Sequence, residues 1–124
     1  LFTMDDLKGI DQKMHKGISE AGGKLRKSFY CLHHPDAGCE CRKPKDGLIH
    51  HAVGNKKIDM KNSYFIGDTE RDTGAGKKFG LKTIAVLTGY CQKKDIKKWK
   101  VQPDYIADNL LTAVKEIVIP ISNL

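Results

Sequence analysis

Ser63-Tyr64-Phe65-Ile66-Gly67-Asp68-Thr69-Glu70-Arg71-Asp72 is the stretch that decides the fold. Tyr64, Phe65 and Ile66 have the composition of a short buried strand. Gly67 is expected to let the chain turn sharply, leaving Asp68 at the strand's carboxyl end. A polar helix is expected from Glu70 to Phe79, stopped by Gly80. Lys82 to Leu87 reads as a second strand, closed by Thr88-Gly89-Tyr90. Asp104 to Ala107 reads as a last short strand, and Asn109 caps a helix with Leu110, Leu111, Val114 and Ile117 on one side. Strands alternating with helices indicate an α/β fold with an open, Rossmann-like parallel sheet. Ligands bind such sheets at the carboxyl ends of strands, so Asp68 is a candidate functional residue. A carboxylate there suits Mg²⁺, a hard cation that takes oxygen ligands and substrate phosphates. Asp72, one helical turn on, would support it. A plainer role is equally open, in which Asp68 only caps the helix.

Upstream, Thr3 and Asp6 have the spacing of a capping box. Leu7, Ile10, Met14 and Ile18 then repeat at helical spacing until Gly22-Gly23. Ser28 to Leu32 reads as a short strand leading into Cys31-Leu32-His33-His34-Pro35-Asp36-Ala37-Gly38-Cys39-Glu40-Cys41, with Arg42-Lys43-Pro44-Lys45 directly after. Cys31, His33, Cys39 and Cys41 supply three thiolates and one imidazole, a closed tetrahedral set for zinc with no position left for water. Such a metal shapes a loop and does not activate a nucleophile. The chemistry then falls to residues the loop positions, first Arg42 and Lys43. Pro44 is expected in the first turn of a helix whose apolar face is Leu48, Ile49, Ala52 and Val53. His34 is an alternative ligand, a merely exposed residue or a neighbour of the substrate. His15, His50 and His51 have no partner at ligand spacing and read as surface or satisfied histidines. Gly74, Gly76 and Gly80 form no nucleotide fingerprint and read as close packing of helix on sheet.

The 124 residues allow one modest domain, residues 1–124, with the metal loop at 31–45. Lys and Arg number 22 against 15 Asp and Glu, a net charge of +7, which suits a nucleic acid, an anionic surface or a phosphorylated small molecule. Lys93, Lys94, Lys97, Lys98 and Lys100 read as a solvated helix face. Only one aromatic residue, Trp99, lies among them, which argues against a nucleic-acid stacking platform. No apolar run is long enough to cross a bilayer, so no membrane partner is expected. With no secretory pattern at the start either, a cytoplasmic, reducing setting is expected. Cys39-x-Cys41 is also a strained spacing for a disulfide. Cys91 reads as a free, partly buried thiol.

Together, Cys-x-His-His-Pro, Cys-x-Cys-Arg-Lys-Pro-Lys, Ser-Tyr-Phe-Ile-Gly-Asp-x-x-x-Asp, Ala75-Gly76 and Thr88-Gly89-Tyr90 resemble the haloacid dehalogenase superfamily, from about Thr3 to Ile119. Within it the likeness is to the zinc-containing branch of heptose bisphosphate phosphatases, with the histidinol-phosphate phosphatases as near relatives. The resemblance implies a Mg²⁺-dependent phosphatase acting on a sugar phosphate, most specifically D-glycero-D-manno-heptose 1,7-bisphosphate. Histidinol phosphate is the alternative substrate, and a non-catalytic zinc module or pseudo-phosphatase a further reading. The resemblance assigns Cys31, His33, Cys39 and Cys41 to zinc and Asp68 to Mg²⁺. It assigns Lys43 to neutralising the phosphoryl group and the attacking aspartate, Arg42 to gripping the phosphosugar, and Asp72 to a supporting role. The superfamily's nucleophile lies in an Asp-x-Asp motif after its first strand, and no such motif occurs in this sequence. Asp5-Asp6 lies in an expected helix at the wrong spacing. The second motif, a Ser or Thr after the next strand, is absent too. The chain, which opens on Leu1, is thus expected to be the C-terminal two-thirds of a phosphatase. By that expectation its sheet lacks the middle strands, and a missing N-terminal segment or complementary chain accompanies it.

Overall fold

The computed structural model describes residues 3–89 and 91–122; Tyr90, part of the quoted motifs, lies outside them. The chain divides into two compact units, residues 1–30 and 31–124.

In the first unit, helix α1 spans Met4–Glu20 and opens with the expected capping box, in which Thr3 and Asp6 exchange side-chain-to-backbone hydrogen bonds. Residues 24–30 are irregular but tied to α1: Tyr30 donates to Asp11 at 2.8 Å, and His15 Nε2 lies 2.8 Å from Ser28 Oγ. The apolar stripe of α1 is only partly covered within the unit, with Ile10 57% exposed. The strand expected at Ser28 to Leu32 does not form. Those residues have strand composition, but no neighbouring strand among the described residues pairs with them, and a strand exists only as part of a ladder.

In the second unit, α2 spans Gly47–Val53, β1 Tyr64–Gly67, α3 Glu70–Phe79, β2 Lys82–Val86, α4 Lys93–Ile96 and β3 Tyr105–Ala107. Helix α5, Leu110–Ala113, continues through a π turn at Val114–Val118 into α6, Ile119–Ser122. The strands form one parallel sheet in the order β1-β2-β3, with Ile66 opposite Ile84 and Ile84 opposite Tyr105. The α/β reading thus holds. Strand β2 is central and buried on both faces, as parallel sheets require. Ile84 and Val86 point into a core with Ala107 and Ala113, closed by Ile66, Tyr105, Ile117 and Val118. Thr83 and Ala85 point the other way, towards α3. Gly76 of α3 sits so close that a Cβ there would stand 2.7 Å from Thr83 Cγ2 and 2.9 Å from Phe65 Cβ. Gly76 is therefore the packing residue of α3 on the sheet, while Gly74 instead faces Pro44, and Gly80, at φ 101°, ends the helix in the left-handed conformation.

Asp104 fastens the entry to β3. Its carboxylate accepts from the Thr83 amide at 2.8 Å and from Lys77 Nζ at 3.1 Å. Burial alone would raise this carboxyl, but the Thr83 amide and Lys77 bring it below the usual carboxylate range.

Two local expectations need correction. Pro44 does not start α2; the helix begins at Gly47, because residues 42–45 form a turn closed by Lys45 N donating to Arg42 O at 3.0 Å. Leu110 and Leu111 do not join Ile117 against the core but are 57% and 64% exposed, since Ala113 is the residue of α5 that meets the sheet; Val114, expected on the same side, is not among the residues packed there. The lysines of the 93–100 segment are all exposed, as their spacing indicates. Among the described residues no helix is long and apolar enough to cross a membrane.

Candidate active site and metal loop

Two structures meet where β1 ends. The first is the loop of residues 31–46, which has no regular structure beyond one short turn at Pro35–Ala37. Its ligand atoms converge: those of Cys31, His33, Cys39 and Cys41 all lie within 4.8 Å of one another. Cys31 Sγ is 3.5 Å from Cys39 Sγ, 3.1 Å from Cys41 Sγ and 3.7 Å from His33 Nδ1, and His33 Nδ1 is 3.1 Å from Cys41 Sγ. Metal bonds of about 2.0–2.3 Å to nitrogen and sulfur give tetrahedral edges of about 3.5 Å, so this set fits a zinc-sized ion. Hydrogen bonds from Cys41 and His33 lower the Cys31 thiol to about 6, while its bond to Cys31 pushes the Cys41 thiol up to about 12.

His34 is outside this set. Its Nδ1 accepts from the Asp36 amide at 3.2 Å and caps the short turn. His50 lies 3.1 Å from Asp46 and packs edge-on against Phe79, with ring centroids 4.8 Å apart. Together with His15 on Ser28, these are satisfied histidines.

Directly after Cys41, the basic pair lines a hollow of about 210 Å³ with Gly38, Cys39, Pro44 and Lys45. Lys43 leaves it to donate its ammonium to Asp72 Oδ1. Asp72, only 5% exposed, is the pivot of the site. Its other carboxylate oxygen accepts from the Thr69 amide at 3.1 Å and the Thr69 hydroxyl at 2.8 Å, and its own amide donates back to Thr69 Oγ1 at 3.2 Å. Desolvation pushes the Asp72 carboxyl up, but Lys43 and Thr69 outweigh it and hold the group below the usual carboxylate range. One carboxylate thus completes the N-terminal box of α3 and anchors Lys43.

The helix cap is therefore Thr69, not Asp68. The capping role that the sequence left open for Asp68 falls to its neighbour, and the Asp68 carboxylate is left for other work. It stands half-buried at the end of β1, beside a second hollow of about 300 Å³ lined also by Thr69, Glu70, Cys91, Asp95 and Trp99. Gly89 leaves room for it, since a Cβ there would stand 3.0 Å from the Asp68 carboxyl carbon. Gly67 serves in the same way. The chain bends directly after it, as expected, without a positive φ; glycine is required here for room, because a Cβ would run into the Asp72 side chain. Glu70 ties down the far wall, accepting from the amides of Lys100 at 2.7 Å and Val101 at 3.0 Å. Cys91 is a free thiol here, pushed up by burial and by the nearby carboxylates of Asp95 and Asp68.

Lys43, Thr69 and Asp72 thus form one bonded group, with Asp68 adjoining it and Arg42 in the neighbouring hollow. Sequence reading missed Thr69 and Glu70. The first had a signal, the Thr-x-x-Asp spacing of a capping box; the second had none, because Lys100 and Val101 are thirty residues away in sequence.

The chain is similar to several known proteins. It is 27% identical over 117 residues to the D-glycero-beta-D-manno-heptose-1,7-bisphosphate 7-phosphatase of Pseudomonas putida, covering 94% of this chain and 66% of that protein. It is 38% identical over 102 residues to the histidine biosynthesis bifunctional protein of Blochmanniella floridana, covering 82% of this chain and 29% of that protein. The crystal structure of D,D-heptose 1,7-bisphosphate phosphatase from B. bronchiseptica, complexed with magnesium and phosphate, superposes with a TM-score of 0.84 at 26% identity, covering 96% of this chain and 66% of that one. The chain therefore spans just under two-thirds of the Pseudomonas relative and of the superposed structure, and less of the other. The family model described as HAD-hydrolase-like matches residues 40–113, from the metal loop through the whole sheet. The fold, the Asp68–Asp72 segment and the basic pair after the cysteines lie where that match runs, and the chain belongs to the HAD-hydrolase-like family.

Proposed function

We propose that this chain supplies the metal-binding and phosphate-binding side of a Mg²⁺-dependent phosphatase that hydrolyses a sugar phosphate, most specifically the 7-phosphate of D-glycero-D-manno-heptose 1,7-bisphosphate. The observation that carries the reading is the Lys43 ammonium, anchored on buried Asp72 beside the uncommitted carboxylate of Asp68. Phosphoryl transfer needs little covalent chemistry from the protein. It needs cations held where charge develops. Lys43 is such a cation, held by Asp72 and directed to a phosphoryl oxygen. Arg42, in the adjoining hollow, grips the phosphosugar through charge-assisted hydrogen bonds. Asp68 holds Mg²⁺, which when bound neutralises phosphoryl oxygens. Cys31, His33, Cys39 and Cys41 hold zinc, which orders the loop carrying Arg42 and Lys43. The attacking carboxylate, which carries the phosphoryl group as an aspartyl-phosphate, comes from polypeptide outside these 124 residues, since no Asp-x-Asp occurs in them.

The similarity to the bifunctional histidine-biosynthesis protein gives histidinol phosphate as the second candidate. The test is phosphate release by the intact polypeptide carrying this sequence. It is offered heptose 1,7-bisphosphate and histidinol phosphate in turn, with Mg²⁺ and with chelator. Preference for the bisphosphate, abolished by chelator, supports the reading. Preference for histidinol phosphate moves the assignment to the sister activity, and no turnover of either overturns it.

A further inference from the structure

The metal loop and α2 are joined by a lock that neither the ligand set nor the phosphate-binding pair includes. Gly47 N donates to Glu40 O at 3.0 Å, so the first amide of α2 is bonded to the residue between two metal-ligand cysteines. The approach is as close as backbones allow: a Cβ on Gly47 would stand 2.7 Å from the Glu40 carbonyl carbon and 3.1 Å from Cys41 N. Gly47 has an ordinary negative φ, so space and not backbone freedom requires glycine here. Across the same loop, Lys45 Nζ donates to Cys39 O at 3.1 Å and lies 3.5 Å from Glu40 Oε1. Lys45 N closes the turn onto Arg42 O at 3.0 Å. Residues 39–47 are thereby bound into a closed ring. Cys39 and Cys41 sit at one end, the first residue of α2 at the other, and Arg42 and Lys43 lie between them.

We infer that Lys45 and Gly47 are positioning residues that fasten the Cys39–Cys41 peptide, so that metal held by the cysteines and the placement of Arg42 and Lys43 depend on each other. The inference rests on the zinc reading given above. The Lys45 ammonium fixes the backbone carbonyl of one ligand residue, and the Gly47 amide fixes the peptide leading to the next. Outer contacts of this kind orient metal ligands, and their loss typically weakens metal affinity about ten- to a hundredfold. Cys39 and Cys41 would then swing with a loosened loop, and Arg42 and Lys43 with them.

The experiment is competition for zinc between the zinc-loaded protein and a colorimetric chelator. It compares the unaltered protein with Lys45→Met, Lys45→Arg, Gly47→Ala and Gly17→Ala. Gly17 lies in α1 with open space around it, so alanine there controls for a general glycine effect. Gly47→Ala and Lys45→Met should each weaken zinc retention about ten- to a hundredfold. Lys45→Arg, which keeps a cationic donor, should restore most of it, and Gly17→Ala should change nothing. If Gly47→Ala does not fold, the Lys45 pair decides the question, because that side chain is 42% exposed and its replacement leaves the backbone alone. Zinc retention equal to the unaltered protein in Lys45→Met overturns the lock, as does Lys45→Arg behaving no better than Lys45→Met. An unaltered protein that takes up no zinc instead brings down the metal reading itself, and the lock with it.

Discussion

The loop of residues 31–46 and the β1–α3 corner both hold charged groups still, but by opposite means. The corner is held from below. Asp72 is buried under a strand end, bonded to Thr69 through both backbone and side chain, and backed by a helix packed on the central strand. The loop has almost no ladder or core of its own, and its order comes from four converging ligand atoms and the bonds of residues 45 and 47. A corner built this way is as stable as the sheet, whereas on the proposed reading a loop built this way is as stable as its metal. Lys43 spans the two: its backbone belongs to the loop and its ammonium to the corner.

The contrast can be broken at several points. On the proposed reading, Asp68→Asn in the intact enzyme gives the largest effect, a loss of about 10²–10³ or more in kcat, because it removes charge stabilisation at the reacting phosphoryl group. Its melting temperature should stay close to that of the unaltered enzyme, since Thr69 and not Asp68 caps α3. A variant that is fully active ends the metal assignment. Next, Cys39→Ser should strip most of the zinc, read by elemental analysis, and raise proteolytic cleavage within residues 31–46. The far-ultraviolet spectrum of the sheet should persist. Loss of the whole fold in step with zinc would show that loop and corner are not separable.

Asp72→Ala should act in reverse, destabilising the corner by about 1–3 kcal/mol while zinc stays bound. The figure combines a lost cap with an ion pair whose lysine is half exposed. Its pH dependence follows from the lowered folded pKa. The Asp72 contribution is fully present above the unfolded value of 3.8 and is lost as pH falls through the lower folded value. Urea unfolding of the two proteins should therefore differ near neutral pH and converge in acid; a gap that widens in acid contradicts the bonding described. The smallest effect is expected for Arg42→Ala, a rise of about tenfold in KM with kcat retained, the mark of lost binding in ground and transition state alike. An unchanged KM removes Arg42 from the substrate.

Much of this molecule was legible in its residues. The Thr3 and Gly80 caps, the bounds of α3, the parallel alternation and the clustering of Cys31, His33, Cys39 and Cys41 all depend on local spacing, and local spacing survives folding intact. Other features were decided only in three dimensions. The stretch at Ser28 to Leu32 has strand composition, yet strandhood requires a partner that no local pattern guarantees. Gly67 and Gly47 were required for room beside Asp72 and Glu40, and room depends on what another segment brings near. Glu70 reaches amides thirty residues on. The joining of Lys43 to Asp72 spans twenty-nine positions and exists because β1 ends where the metal loop returns. Sequence determines what a segment can do within about a helical turn of itself. Which distant carboxylate receives which ammonium is settled by packing, because only packing removes the water that either would otherwise keep.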